Sequence, residues 1–222
     1  MLSRVSHTWA GSYWGLDLKQ HRDVYDVFRV FIEEVRPKRI LEMGTHKGGL
    51  TLYLRDLLDS LGLADTEIKT FDIASYPEHE MLKASNIDVV IEDIFEQIDV
   101  SPKIMYTDCQ GVQRTCTFTL DKPEMIDDFI KSPGLTVVLC DGGWKIGEFR
   151  TISPLLKDDD IIMCHDYVDT IENWEQNFKD KVWNAHEVEE ADIKEICSEH
   201  GLVPYMLEEY AKVVWACRKK KA

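Results

Sequence analysis

The sequence predicts an α/β domain: a mostly parallel sheet of seven strands, helices on both of its faces, and an antiparallel hairpin strand near the C-terminal end. Three observations carry that expectation. Segment Arg39–Thr51 runs from a short apolar stretch, Ile40 to Met43, through glycines 44, 48 and 49 into leucines 50, 54, 57, 58 and 61 at helical spacing. Leu135–Cys140 is nearly all apolar, as a parallel strand covered on both faces must be. Five such strand–helix alternations end in two strand-like runs, Leu202–Glu208 and Lys212–Arg218, parted only by Glu209, Tyr210 and Ala211.

In chain order, the first 16 residues carry Trp9, Tyr13 and Trp14 without periodicity and read as an ordered arm over a site or as a subunit contact. Asp17–Val35 has the spacing of an amphipathic helix, with Val24, Val27, Phe28, Phe31 and Ile32 inward and Pro37 as its stop. Arm and helix, residues 1–36, thus precede one domain, 37–222. Within it, strands are expected at Arg39–Met43, Ile68–Ile73 and Ile87–Ile91, with a short helix over Pro77–Ala84. Ile98–Leu120, rich in Thr, Gln and β-branched residues, reads as an inserted loop or hairpin. A helix at Lys122–Lys131 stops at Pro133-Gly134, and strand Leu135–Cys140 leads to a helix at Gly147–Leu156. Strand Asp160–Cys164, helices at about Ile171–Lys181 and Glu189–His200, and the final hairpin complete the plan.

A formal charge of −15 over 222 residues argues against nucleic acid as a partner, because phosphate binding needs a basic face. No stretch approaches the roughly 20 apolar residues of a membrane span, and the N-terminus lacks a signal-peptide core. The six cysteines form no C-x-x-C pair, and Cys140, Cys164 and Cys217 fall in apolar runs. Reduced thiols in a cytoplasmic protein are the expectation, and the aromatic arm makes a homodimer plausible.

Strand, glycine loop and helix in succession is how α/β proteins build a small-molecule site at the carboxyl edge of the sheet. Glycines let backbone approach a ligand, and helix-start N–H groups hold anions. The spacing in Glu42-Met-Gly-Thr-His-Lys-Gly48 is not G-x-G-x-x-G. With an acidic residue two before the first glycine and the next glycine four further on, it resembles motif I of class I S-adenosylmethionine (SAM) methyltransferases. That resemblance implies that Glu42, Gly44, Thr45 and Gly48 hold the methionine portion of SAM. His46 either contacts that end or faces solvent. Asp72, ending the second strand, suits both ribose hydroxyls, or else caps a turn. Glu92 or Asp93 after the third strand is placed to contact the adenosine.

Asp141 and Asp166 follow neighbouring strands, and two hard oxygen ligands there suit Mg²⁺ or Mn²⁺. Alternatively, Asp141 contacts the cofactor alone and Asp166 caps a turn. Asp141-Gly-Gly, a helix ending in Pro154-Leu-Leu-Lys157, and Asp160–Tyr167 together resemble the cephalosporin-hydroxylase-like, macrocin-type and catechol-type metal-dependent O-methyltransferases over about Pro37–Tyr167. The resemblance implies a Rossmann-like class I methyltransferase fold and SAM-dependent O-methylation of a small hydroxylated acceptor, such as a sugar. It makes Asp141 and Asp166 metal ligands, with His165 in the first place of an otherwise acidic pair. Lys145 resembles the lysine near the metal in catechol-type enzymes and is a candidate base, or a solvent-facing lysine. His165 is base, ligand or core histidine. Because His165 and Gly143 stand where relatives carry acids, a catalytically silent SAM-binding regulatory or assembly protein is an alternative. A nucleotide-dependent oxidoreductase fits the glycine spacing and terminal hairpin less well. Trp144, Tyr167, Trp174 and Trp183 are expected in an aromatic wall for the acceptor or in the core.

Overall fold

The computed structural model describes residues 9–98, 104–107, 113–179 and 186–222. A hairpin of β1 (Trp9–Tyr13) and β2 (Leu16–His21) opens the chain and is followed by α1 (Val24–Val35). Then come β3 (Arg39–Met43), α2 (Gly49–Ser60), β4 (Glu67–Asp72), α3 (His79–Ala84) and β5 (Asp88–Ile91). Strands β6 (Phe95–Ile98), β7 (Ile104–Thr107) and β8 (Gln113–Leu120) form a small antiparallel sheet in the order β6-β8-β7. Within Ile98–Leu120 the described residues thus hold the antiparallel pair β7–β8, the hairpin of the two expectations, and β8 pairs on its other edge with β6, which leads into the segment.

Next are α4 (Glu124–Lys131), β9 (Thr136–Cys140), α5 (Lys145–Ile152) and β10 (Ile161–His165). The last part holds β11 (Tyr167–Val168), α6 (Ile171–Asn173), β12 (Val188–Glu189), α7 (Glu190–Glu199), β13 (Leu202–Pro204), α8 (Leu207–Ala211) and β14 (Trp215–Lys220). The main sheet has seven strands in the order β13-β14-β10-β9-β3-β4-β5. Only β14 runs against the rest. Strand order reverses at β3, which pairs with both β4 and β9, so the ligand crevice of such a sheet lies outside the carboxyl ends of β3, β4, β9 and β10.

The apolar strands follow from burial on both faces. Ile40, Val137 and Ile161 pack on one side with Phe28, Leu54 and Tyr210. Their neighbours Leu41, Val138 and Ile162 pack on the other with Ile126, Phe149 and Ile193. Each such side chain contributes about 1.5–3 kcal/mol by leaving water. Arg39, buried at the start of β3, donates to the carbonyls of Ser132, Pro133 and Gly134 and so ties the turn before β9 to the sheet.

Three expected elements differ. The helix expected from Asp17 begins only at Val24, because Asp17–His21 is strand β2. Its burial alternates, with Leu16, Leu18 and Gln20 inward, and Trp14-Gly15 forms the two-residue turn with φ of 50° and 83° that such a hairpin demands. The expected helix over Ile171–Lys181 is one short turn of α6 and a π-helical turn, Trp174–Phe178, within the described residues. In the terminal hairpin β13 stops at Pro204, α8 takes up the end of the first expected strand together with the connection, and β14 begins only at Trp215. Among the described residues no helix is long and apolar enough to cross a membrane.

Candidate active site

The carboxyl ends of β3, β4, β9 and β10 deliver Met43, Asp72, Cys140 and His165 to one edge. There Gly44 and Thr45 both donate backbone N–H groups to the Phe71 carbonyl, which pins the loop after β3 onto β4. Gly44 has φ +89°, and a Cβ there would stand 2.3 Å from the Asp141 carbonyl oxygen. An alanine would cost about 1–3 kcal/mol in backbone strain before any overlap is relieved. Gly49, at the start of α2, leaves room for the backbone of β2, since a Cβ there would meet the Asp17 carbonyl oxygen at 2.5 Å.

Two cavities open on this edge and share Gly44, Gly142 and Gly143. The first, about 320 Å³, is lined by Glu42, Thr45, His46, Asp141, Lys145, His165, Asp166 and Glu187, with Asp17 to Gln20 of β2 on its other side. The second, about 250 Å³, is lined by Asp72, Ile73, Glu92, Asp93, Phe95, Trp144 and Glu148.

Glu42 is buried, and its Oε2 accepts hydrogen bonds of 2.6 Å from the hydroxyls of both Thr51 and Thr70. Thr45 joins this chain through a 2.6 Å contact between its hydroxyl and that of Thr70. Burial pushes the Glu42 carboxyl up to about 7, although the two hydroxyls pull the other way. Asp72 accepts the backbone N–H groups of His46 at 2.6 Å and Ala74 at 2.8 Å, one on each oxygen. Its turn role and its place in the second cavity therefore coexist, because a carboxylate has about four acceptor sites. Asp93 likewise accepts from Phe95 N at 3.1 Å while lining that cavity. Glu92 is paired with Lys122.

At the other end, Asp141 Oδ1 lies 2.8 Å from His165 Nδ1, and Asp141 Oδ2 accepts from Gln20 Nε2 at 2.9 Å. Asp166, just past β10, has φ 54°, a left-handed turn that Asp tolerates better than most residues. Its Oδ1 is 3.6 Å from His165 Nδ1 and its Oδ2 3.1 Å from Lys145 Nζ. Lys145 Nζ also donates to Glu187 Oε2 at 2.9 Å and to the Gly142 carbonyl at 3.2 Å, and lies 3.9 Å from Asp141. Burial disfavours the Lys145 ammonium, yet Asp166, Asp141 and Glu187 outweigh it and hold the group well above its ordinary value. Lys145 is thus buried among three carboxylates and does not face solvent. His165 is pulled down by burial and further up by Asp141 and Asp166, for a net rise.

One donor atom each from Asp141, His165 and Asp166 lie within 4.8 Å of one another, close enough to share a metal ion. Of the expected aromatic wall, only Trp144 among the described residues lines either cavity. Tyr167 is buried and donates to Glu190, Trp174 stacks on Phe178, and Trp183 lies outside the described residues. Gln20, Glu148 and Glu187 went unread in the sequence. Glu148 is buried, pushed up to about 7 by burial, and accepts the backbone N–H groups of Gly142 and Trp144, which shapes the loop after β9. Cys140, Cys164, Cys197 and Cys217 are free and buried.

No protein-family model matches the chain, and no curated protein matches it in sequence. Its fold does recur among solved structures. A CmcI structure with SAH aligns at a TM-score of 0.57 and 16% identity over 98% of this chain and 85% of that one. A CmcI structure with Mg and SAM gives 0.54 and 16% over 94% and 75%. A candidate caffeoyl-CoA O-methyltransferase from Staphylococcus aureus gives 0.52 and 12% over 91% and 84%. The chain therefore has the Rossmann-like class I methyltransferase fold, as its sequence motifs implied.

Proposed function

We propose that the protein is a SAM-dependent methyltransferase that methylates a hydroxyl of a small acceptor with a divalent cation, Mg²⁺ or Mn²⁺, beside the acceptor oxygen. The observation that carries this reading is the meeting of two cavities at Gly44 and Gly142–Gly143, with Asp72 in one and Asp141, His165 and Asp166 in the other. Asp72 and Asp93 would hold the ribose and adenosine, and the loop from Gly44 through Thr45 to Gly48 the methionine portion. Glu42 fits that portion because its buried carboxyl, pushed up to about 7, gains most from a ligand ammonium. Asp141, Asp166 and His165 would hold the cation. Two carboxylates and an imidazole form a donor set that suits Mn²⁺ better than Mg²⁺, which favours oxygen throughout.

When bound, SAM presents a methyl already activated by its sulfonium, and a divalent cation lowers the pKa of a hydroxyl lying against it. The chain's own residues supply position and charge. Lys145 places its Nζ beside the acceptor end, where it would take the hydroxyl proton once a cation on Asp141 and Asp166 offsets the carboxylates that otherwise hold it charged, or stabilise negative charge on the acceptor oxygen as an ammonium. The first cavity carries Asp17, Glu42, Asp141, Asp166 and Glu187 against Lys19 and Lys145, and no arginine lines it among the described residues. A neutral polyol such as a sugar suits that balance better than a phosphorylated acceptor.

The test is a calorimetric titration with SAH, repeated in Mn²⁺. Binding of SAH that tightens when Mn²⁺ is present is the expected result, and no SAH binding sinks the reading. SAH binding that ignores metal removes the cation while leaving the cofactor. The free buried cysteines and the charge of −15 support a cytoplasmic protein with neither membrane nor nucleic acid as partner. Trp14, 75% exposed at the hairpin tip, supports a homodimer through the arm. Light scattering checks this, and a monomer mass at working concentration removes it.

A further inference from the structure

We infer that Gln20 is a positioning residue of this site, a buried amide that fixes which oxygen of Asp141 faces His165. The inference rests on the methyltransferase reading for its functional consequence, and on geometry alone for its structural part. Gln20 lies on β2 with 2% of its surface exposed. Its Oε1 accepts from Trp215 Nε1 at 2.9 Å, and its Nε2 donates to Asp141 Oδ2 at 2.9 Å. An indole N–H can only donate and an ionised carboxylate can only accept, so the two neighbours demand the same amide orientation. Neither flip state nor rotation is left open.

The contacts close into a circuit. The Trp215 ring packs on the His165 ring with centroids 4.7 Å apart and planes tilted by 33°. His165 Nδ1 meets Asp141 Oδ1 at 2.8 Å, and Asp141 returns to Gln20 through its other oxygen. Gln20 thereby takes one acceptor site of Oδ2 and fixes the carboxylate so that Oδ1 faces His165, where a shared cation would meet it. In a buried network each bond is stronger than its counterpart in water, and each lost partner costs more. Outer-sphere partners of this kind set the orientation of a metal-binding carboxylate. The hairpin that carries Gln20 lies at the chain's start, far from the glycine loop in sequence, yet it completes the acceptor side.

The test compares the wild-type protein with Gln20→Met, which keeps the length and loses both hydrogen bonds, and Trp215→Phe, which keeps a ring on His165 and frees the amide. Three quantities are measured: SAH affinity, Mn²⁺ affinity, and hydrogen exchange of the Trp215 indole N–H alongside the His165 ring signals by NMR. Gln20→Met is expected to weaken Mn²⁺ binding about 10- to 100-fold. It should also speed indole exchange and shift the His165 signals while SAH affinity stays within about threefold. Trp215→Phe should weaken Mn²⁺ less and shift the same His165 signals. Unchanged Mn²⁺ affinity with unchanged indole and His165 signals in Gln20→Met overturns the inference. If the wild-type protein binds SAH but no Mn²⁺, the cation fails, and the NMR signals alone decide whether Gln20 holds the Asp141–His165 pair. If it binds neither, the methyltransferase reading fails, and those signals decide the structural part independently.

Discussion

Asp141→Asn is expected to lower methyl transfer about 10³-fold or more while SAH affinity changes by less than about tenfold. Asp141 contacts three groups at the acceptor end. It takes the Gln20 amide on one oxygen, faces His165 on the other and stands 3.9 Å from the Lys145 ammonium. Asparagine matches its shape but carries no charge, and with its oxygen kept on the Gln20 NH₂ its own NH₂ faces His165 Nδ1, which accepts it only in the other tautomer. A cation shared among Asp141, His165 and Asp166 loses a ligand and a negative charge together. Glu42 and Asp72, the residues proposed to hold the cofactor, keep their hydrogen bonds to Thr51, Thr70, His46 and Ala74. Lys145 also retains Asp166 and Glu187, so the fold should survive. The measurement is labelled methyl transfer from SAM to a hydroxylated acceptor drawn from a sugar panel, beside calorimetry with SAH and Mn²⁺. A variant that keeps a tenth of wild-type turnover removes Asp141 from the chemistry. Loss of SAH binding as severe as loss of turnover would instead make it a cofactor residue.

That arrangement was legible in part. Where a strand is buried on both faces, its sequence is apolar throughout, and β3, β9 and β10 stand out for that reason alone. Once they are placed, the residues at their carboxyl ends must share an edge, which is why Asp72, Asp141, His165 and Asp166 could be picked out together. Side chains recruited from distant elements leave no such local trace. Gln20 lies 121 positions from Asp141 and 195 from Trp215, and nothing near Glu187 marks it as a partner of Lys145, 42 positions earlier. Glu187 adds a third carboxylate to the two around Lys145 that the strand ends already implied. Strand β2 was hidden for another reason. Leu16 and Val24, eight apart, fit either period while Leu18 fits only the strand, and the strand begins at a turn that places Trp14, a bulky residue, at φ 50°. Tyr167 and Trp174 sat beside the right strands, but aromatic rings fill cores at least as readily as they line sites.

Glu42→Gln is expected to make the fold more stable and the cofactor site worse. Burial lifts the Glu42 carboxyl from an ordinary 4.5 to about 7, so the folded chain holds this proton more tightly than the unfolded chain does. Below about pH 4.5 the group is protonated in both states and costs nothing. As pH rises from there to about 7, the unfolded chain releases the proton first and stability falls. Above about 7 the loss is complete, at roughly 3 kcal/mol for a rise of some 2.5 pH units. Glu148, also pushed up to about 7 by burial, adds a loss of the same sign in the same window. Glutamine keeps a carbonyl oxygen for the Thr51 and Thr70 hydroxyls and has no charge to desolvate. Its advantage over glutamate should therefore be small at pH 5 and reach a few kcal/mol at pH 8, or about 5–10 °C in Tm for a chain of this size. The same linkage favours a ligand that brings an ammonium to the ionised carboxylate. SAH affinity of the wild-type protein should rise between pH 6 and pH 8, whereas the glutamine variant should bind more weakly, without that rise. A buried carboxylate that lowers stability across the neutral range is retained when its charge serves a ligand. Thermal melts and SAH titrations at the two pH values measure both halves of the trade. A variant that gains stability at pH 8 and still binds SAH like the wild type leaves Glu42 with a structural role only.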